Sequence, residues 1–137
     1  GRIATPVCFD LDASAVAAMA VADGSVLVLA PSLDPAAWGT TQRLQHAELA
    51  RHRAAELGRW IAVASGAGRT QVLDPSGARR AELPLDAVGT LVAEVGFARE
   101  STPFARGGRW LGPLCTLLTA ALVLGLLAAA VKRRRGL

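Results

Sequence analysis

An α/β fold followed by one membrane-spanning helix is what the sequence predicts, and three observations carry the prediction. Short apolar runs alternate with helical patterns through most of the chain. An Asp-Pro-Ser-Gly turn separates two strand-like segments near residue 75. A run without a single charge, Leu111 to Val131, lies close to the end.

In chain order, Ile3 to Cys8 reads as a strand, Ala13 to Ala22 as an Ala-rich helix, and Ser25 to Ala30 (SVLVLA) as a buried strand, since a continuous apolar run is typical of a strand covered on both faces. Together they form a βαβ pattern. After a Pro-bearing loop, Thr40 or Thr41 is placed to cap a helix running to Leu57, with Gly58 as its stop. WIAVAS (60–65) and RTQVLD (69–74) follow as strands around a turn at Gly66 and Gly68. Asp74-Pro75-Ser76-Gly77 then closes a hairpin with Ala78 to Leu83, because proline presets φ at the second turn position. Thr90 to Val95 is expected to be the last strand, and Pro103 to break the chain ahead of the apolar run.

At 1.5 Å per residue, the run from Leu111 to Val131 is long enough to cross a hydrocarbon core of about 30 Å, and it lacks the polar stripe of a soluble helix. Trp110 and Arg109 suit an interfacial anchor at its near end. Lys132, Arg133, Arg134 and Arg135 follow it directly, which marks that end as cytoplasmic and places the rest on the outer side. The division expected is therefore a domain over 1–109 outside the cytoplasm, a transmembrane helix over 110–131, and a basic cytoplasmic tail over 132–137.

Those four residues also account for the charge. Of 137 residues, fifteen are Lys or Arg and eleven Asp or Glu, so without the tail cluster the body is balanced, eleven against eleven. A neutral body with 4% aromatics and no Tyr has neither a phosphate-tracking stripe nor a stacking platform, which sets nucleic acid aside as a partner. Two cysteines far apart and two histidines make neither a disulfide framework nor a metal site, so no metal and no cofactor is expected.

Most chemical motifs fail on inspection. SGAGRT (65–70) has two glycines but neither the length nor the lysine of a phosphate loop. His46 and His52 are six apart, hence on different helix faces, and read as solvated. Glu48 with Arg51 or His52, and Arg53 with Glu56 or Leu57, read as ordinary helix-surface pairs. Cys8 stands out, because it ends a predicted strand, where α/β folds expose reactive groups, and two readings stay open for it: a nucleophilic thiol or a buried inert one. Cys115, inside the apolar helix, reads as packing.

Val7-Cys8-Phe9-Asp10 resembles the element of the nitrilase superfamily in which a cysteine followed by an aromatic and an acidic residue is the nucleophile. Gln45-His46-Ala47, Ala50-Arg51-His52-Arg53-Ala54 and Glu56-Leu57-Gly58-Arg59 resemble the corresponding helix of apolipoprotein N-acyltransferases. Asp74-Pro75-Ser76-Gly77 is similar to their hairpin turn, and Thr102-Pro103-Phe104-Ala105-Arg106 to a signature just before their last membrane helix. The chain departs from the pattern in three places. Asp10 stands where these enzymes usually carry Glu; the loop Ser32-Leu33-Asp34-Pro35-Ala36-Ala37-Trp38-Gly39 lacks an Asn and has its Trp two positions later; Gly66-Ala67-Gly68 replaces an Asn-Asn-Gly turn.

The resemblance implies the C-terminal half of a nitrilase-like α-β-β-α sandwich followed by one transmembrane helix, in a multi-pass protein of the cytoplasmic membrane. It puts Cys8 on the catalytic nucleophile, which takes an acyl chain from a phospholipid as a thioester and yields it to the α-amino group of a lipoprotein's diacylglyceryl cysteine. Phe9, Asp10, Asp34 and Trp38 become candidates for the substrate site. The partners implied are a phospholipid acyl donor, a diacylated lipoprotein acceptor and membrane lipid. A general-base Glu and an oxyanion-stabilising Lys are expected upstream of residue 1, since the only lysine here is Lys132. The alternatives are a membrane-anchored nitrilase-like amidase and a catalytically inactive fragment.

Overall fold

The computed structural model describes residues 1–107 and 110–135. Residues 1–106 form one compact unit and residues 107–137 a second.

In the first unit five strands form a sheet in the order β1 (Arg2–Ala4), β2 (Ser25–Ser32), β3 (Trp60–Ser65), β4 (Thr70–Leu73), β5 (Arg79–Leu83). The first three are parallel and the last two antiparallel. Parallel neighbours need a crossover, and helices α1 (Ser14–Ala22) and α2 (Gly39–Leu57) supply the two here. Both pack on one face. Ala17 and Val21 of α1, and Ala50, Ala54 and Leu57 of α2, meet Val28, Ala30, Ile61 and Val63 of the central strands in one apolar cluster. Small alanines let α2 lie close to the sheet, so α2 fixes what stands above the strand ends. Among the described residues, no helix of this unit covers the other face, where Leu29 is 37% exposed and Ala64 is exposed. One helix layer on one sheet is half of the expected α-β-β-α sandwich.

The elements match the sequence reading in kind, with corrections at the edges. β1 is shorter than expected and stops at Ala4, because Pro6 has no N–H for the ladder and the chain then turns. Thr40 and Thr41 do not cap α2, which starts at Gly39 after a 3₁₀ turn over Ala36–Trp38. Gly58 ends it as expected at φ 62°, a left-handed conformation that costs glycine nothing. The strand expected over Thr90 to Val95 is not formed, since residues 90–100 pair with no strand edge. β propensity makes a strand only where a partner exists. The backbone here is held by the buried Arg59 instead, whose guanidinium donates to Ser25 O (2.8 Å), Glu100 O (2.5 Å) and Arg99 O (3.4 Å). Burial pushes the Arg59 guanidinium below its ordinary value. Pro103 does not break the chain but opens a short helix, α3 (Pro103–Gly107), where a missing N–H costs nothing; Thr102 Oγ1 caps it by accepting Ala105 N–H at 3.0 Å.

The hairpin turn carries a local stability device. Asp74 Oδ1 accepts Ser76 N–H (2.8 Å), Ser76 O–H (2.6 Å) and Ala78 N–H (3.0 Å), and Oδ2 accepts Arg80 Nε–H at 2.7 Å. Burial pushes the carboxyl up, but the bonds from Ser76, Arg80 and Ala78 outweigh it and hold Asp74 at about 2 against an ordinary 3.8. A depressed carboxyl stabilises the fold above its unfolded value and loses that contribution as pH falls through its folded one. Discounted for the exposure of Arg80, the contribution is about 1 kcal/mol. Asp74→Asn in the full-length protein is therefore expected to lower the unfolding midpoint at neutral pH, with the difference from wild type shrinking below about pH 4 and gone only below about pH 2. Unfolding curves across that range check it.

The second unit contains α4 (Leu111–Arg135), an exposed helix whose most apolar 18-residue stretch has a mean hydropathy of 2.5. Its length and composition suffice to cross a membrane. Its hydroxyls are satisfied within the helix, Thr116 Oγ1 donating to Gly112 O (3.0 Å) and Thr119 Oγ1 to Cys115 O (2.8 Å), as an apolar surrounding requires. Trp110 is exposed. Arg109, its expected companion, and residues 136–137 of the tail lie outside the described residues.

Candidate functional site

Three parallel strands end side by side, and polar side chains stand at their carboxyl ends. Ser32 closes β2 and Ser65 closes β3, opposite each other in register. Cys8 follows β1 after Thr5-Pro6-Val7 and begins a 3₁₀ turn, with Asp10 N–H on Val7 O (3.0 Å) and Leu11 N–H on Cys8 O (3.1 Å). Its φ is 52°, a backbone state that costs a non-glycine residue about 1 kcal/mol or more and is commonest at functional sites. The expectation that Cys8 ends a strand is corrected to a strained turn beyond one. Asp10 helps to hold it: its carboxylate accepts the N–H of Val7 at 3.1 Å. Asp10 is thus a turn-closing residue, exposed and bonded away from the cluster around Cys8.

Asp34 is the centre of that cluster. Only 3% exposed and itself at φ 42°, it accepts Ser32 O–H (2.8 Å) and Ser65 O–H (2.6 Å) and faces His46 Nδ1 at 2.5 Å. Burying a carboxylate costs several kcal/mol unless its oxygens are bonded, and three partners meet that condition. Ser32 Oγ also lies 3.6 Å from Cys8 Sγ. The candidates Cys8 and Asp34 are therefore joined through one hydroxyl.

Phe9 and Trp38 come together as a rim rather than as polar contacts. Their ring centroids are 5.4 Å apart, and each packs against His46, at 5.6 and 6.1 Å. Phe9 is 56% exposed, and the flanking Val7 and Leu33 are exposed as well, so the surface beside the half-buried thiol is apolar. Beneath it, the void among Cys8, Ser32, Asp34, His46 and Arg69 is only about 10 Å³, room for one water at most. That side is packed support, and the thiol is reached from its exposed side.

Two readings of the sequence are overturned here. His46 is not solvated: it sits between Asp34 and Asp12, with Nε2 2.9 Å from Asp12 Oδ1, whereas His52 is exposed as expected. Arg53 is not a surface residue either. It is 8% exposed, and besides Glu56 it donates to Leu11 O (2.9 Å) and Asp12 O (2.5 Å), tying the segment after Cys8 to α2. Glu48 and Arg51 do form the expected half-exposed pair at 2.6 Å. Helical spacing held the missing signal, because Arg43, Ala47, Ala50, Arg53, Ala54 and Leu57 form the buried stripe and His46 lies beside it.

Loop closeness completes the site. The 65–68 turn is pinned to the 32–34 loop by Gly66 N–H on Ser32 O (3.0 Å) and Ala67 N–H on Leu33 O (3.3 Å), while buried Arg43 donates to Ala67 O at 2.6 Å. No group of three or more His, Cys, Asp or Glu with the geometry of a metal site occurs among the described residues.

A mixed sheet with helices on one face and a cysteine turn at its parallel strand ends has the fold of the nitrilase superfamily. It superimposes on a member of that superfamily from Saccharomyces cerevisiae with a TM-score of 0.55 and 22% identity, over 83% of this chain and 42% of that one. It also superimposes on an amidase of the superfamily from Nesterenkonia with a TM-score of 0.52 and 28% identity, over 62% and 35%. In another structure of that amidase, matched with a TM-score of 0.50, the acetamide moiety of fluoroacetamide is covalently added at the active-site cysteine. No family model matches the sequence.

In sequence the chain is a relative of the apolipoprotein N-acyltransferases over nearly its whole length. The enzyme of that name from Ralstonia nicotianae is 37% identical over 98% of this chain, and that from Shewanella oneidensis 35% over 90%. The chain spans about a quarter of the length of these relatives, 25% and 24%.

Proposed function

We propose that the chain is the C-terminal part of a membrane apolipoprotein N-acyltransferase with Cys8 as its nucleophile. The observation that carries this reading is the strained Cys8 turn at the parallel strand ends, joined through Ser32 to the buried Asp34 and flanked by exposed apolar residues. The sulfur attacks the ester carbonyl of a phospholipid, the S–C bond forms, and the lysophospholipid oxygen leaves with a proton. The α-amino group of a diacylglyceryl cysteine then attacks the thioester, an amide forms, and the thiol is regenerated. The rim of Val7, Phe9 and Leu33 suits an acyl chain and excludes the water that would hydrolyse the thioester. The base and the oxyanion donor that the family implies come from the rest of the full-length protein, of which this chain is about a quarter by comparison with its relatives.

The test is transfer of a labelled phospholipid acyl chain to a diacylated lipopeptide by the full-length protein. Triacylated product is expected. The nitrilase fold shared with the Nesterenkonia amidase keeps one second reading, hydrolysis of a carbon–nitrogen bond, and hydrolysis with no transfer to the lipopeptide favours it.

In this reading α4 spans the cytoplasmic membrane, with Lys132 to Arg135 on the cytoplasmic side and the first unit outside. A reporter fused to the C-terminus is expected to be active in the cytoplasm and one inserted at Ser76 outside it. The reverse pattern removes the connection to lipoproteins.

A further inference from the structure

We propose that His46, carrying a proton on both ring nitrogens, is a positioning residue for Cys8: it bolts the segment after the cysteine turn to the loop after β2. The inference rests on the reading of Cys8 as nucleophile and goes beyond it.

Both ring nitrogens face carboxylate oxygens, Nδ1 on Asp34 Oδ1 at 2.5 Å and Nε2 on Asp12 Oδ1 at 2.9 Å. Ionised carboxylates only accept, so a ring that bonds both must donate twice. The site is enclosed, with the side chains of His46, Asp34 and Asp12 at 12%, 5% and 27% exposure. Phe9 and Trp38 pack against the ring, and Arg69 lines the same cleft while its guanidinium approaches Glu82 (3.5 Å) and Glu48 (3.9 Å). Asp12 belongs to the cysteine turn, its N–H bonding Phe9 O at 3.1 Å, whereas Asp34 belongs to the β2 loop and His46 to α2. Through this one ring, three elements are fixed relative to one another.

The bolt acts on the thiol through Ser32. A hydroxyl has one proton, and Asp34 Oδ1 takes that of Ser32 at 2.8 Å. Ser32 Oγ is then left to accept the S–H of Cys8 at 3.6 Å, which sets the thiol's direction. Without His46, Asp34 loses its one cationic partner among the described residues, the carboxylate is free to move, and the acceptor that aims the thiol goes with it.

The test compares wild type with His46→Gln in the full-length protein, since a glutamine amide presents one nitrogen and one acceptor oxygen and cannot donate from both ring-nitrogen positions. The His46 ¹⁵N resonances, identified by their loss in the variant, are expected to show two protonated ring nitrogens. Alkylation of Cys8 by iodoacetamide, read on its peptide, is expected to slow about tenfold per folded molecule, with kcat for acyl transfer falling in parallel and KM for the lipopeptide unchanged. A purely structural role lowers the folded fraction and leaves these rates in place. An unprotonated ring nitrogen, or an unchanged alkylation rate, overturns the proposal. If His46→Gln does not fold, Asp12→Ala, which removes only the more exposed bond, is expected to slow alkylation about threefold, and no slowing overturns it equally. Alkylation needs no substrate, so slowed alkylation alongside a wild type that transfers no acyl chain condemns the acyltransferase reading and leaves the role of His46 standing.

Discussion

Cys8→Ser in the full-length protein is expected to abolish acyl transfer, with a loss on the order of a thousandfold or more, while the protein folds as before. The two side chains differ by one atom, and the serine hydroxyl keeps its hydrogen bond to Ser32, so packing is little disturbed. What disappears is chemistry. A hydroxyl ionises far less readily than a thiol and leaves an acyl group far less readily than a thiolate. The labelled transfer assay reads the loss, and an unfolding midpoint near wild type separates it from misfolding. Activity within about tenfold of wild type contradicts the assignment of Cys8.

Gly68→Ala is expected to produce the second large effect, about 3 kcal/mol of destabilisation together with loss of transfer activity. The backbone at Gly68 suits alanine; space is the obstacle. An added Cβ would overlap Asp34 Oδ2 and Ser65 Oγ and lie 2.7 Å from the Asp34 Cβ. Neither neighbour can yield cheaply. Asp34 is held by Ser32, Ser65 and His46, and Ser65 Oγ already accepts Gly68 N–H at 2.8 Å. Unfolding curves and transfer rates of the full-length variant check this, and a variant of wild-type stability and activity would show that the 32–34 and 65–68 loops are not locked together.

The sheet was legible because its strands are continuous apolar runs and its turns carry their own chemistry, as in SVLVLA, WIAVAS and the Asp74–Gly77 turn. Thr90 to Val95 has strand character too and makes no strand, since it pairs with neither edge of the sheet, which no local pattern reveals. The site divides in the same way. Cys8 and Asp34 were visible through a short motif and a loop, but the bond between them runs through Ser32, and its support runs through His46, Ser65 and Asp12. Those residues lie far apart in sequence and meet only because parallel strands align their carboxyl ends. His46 was misread because its distance from His52 says only that the two differ in face. The spacing of Arg43, Ala47, Ala50 and Ala54 says which face is inside.

The central claim is that an acyl chain passes through the sulfur of Cys8, and a covalent trap addresses it most directly. The full-length protein is incubated with phospholipid and no acceptor, digested, and its cysteine peptides weighed before and after neutral hydroxylamine, which cleaves thioesters. The account predicts one acyl adduct, on the peptide containing Cys8, lost with hydroxylamine and lost when a diacylated lipopeptide is added. An adduct on the Cys115 peptide instead, or an unmodified Cys8 in protein that still transfers acyl chains, would contradict it.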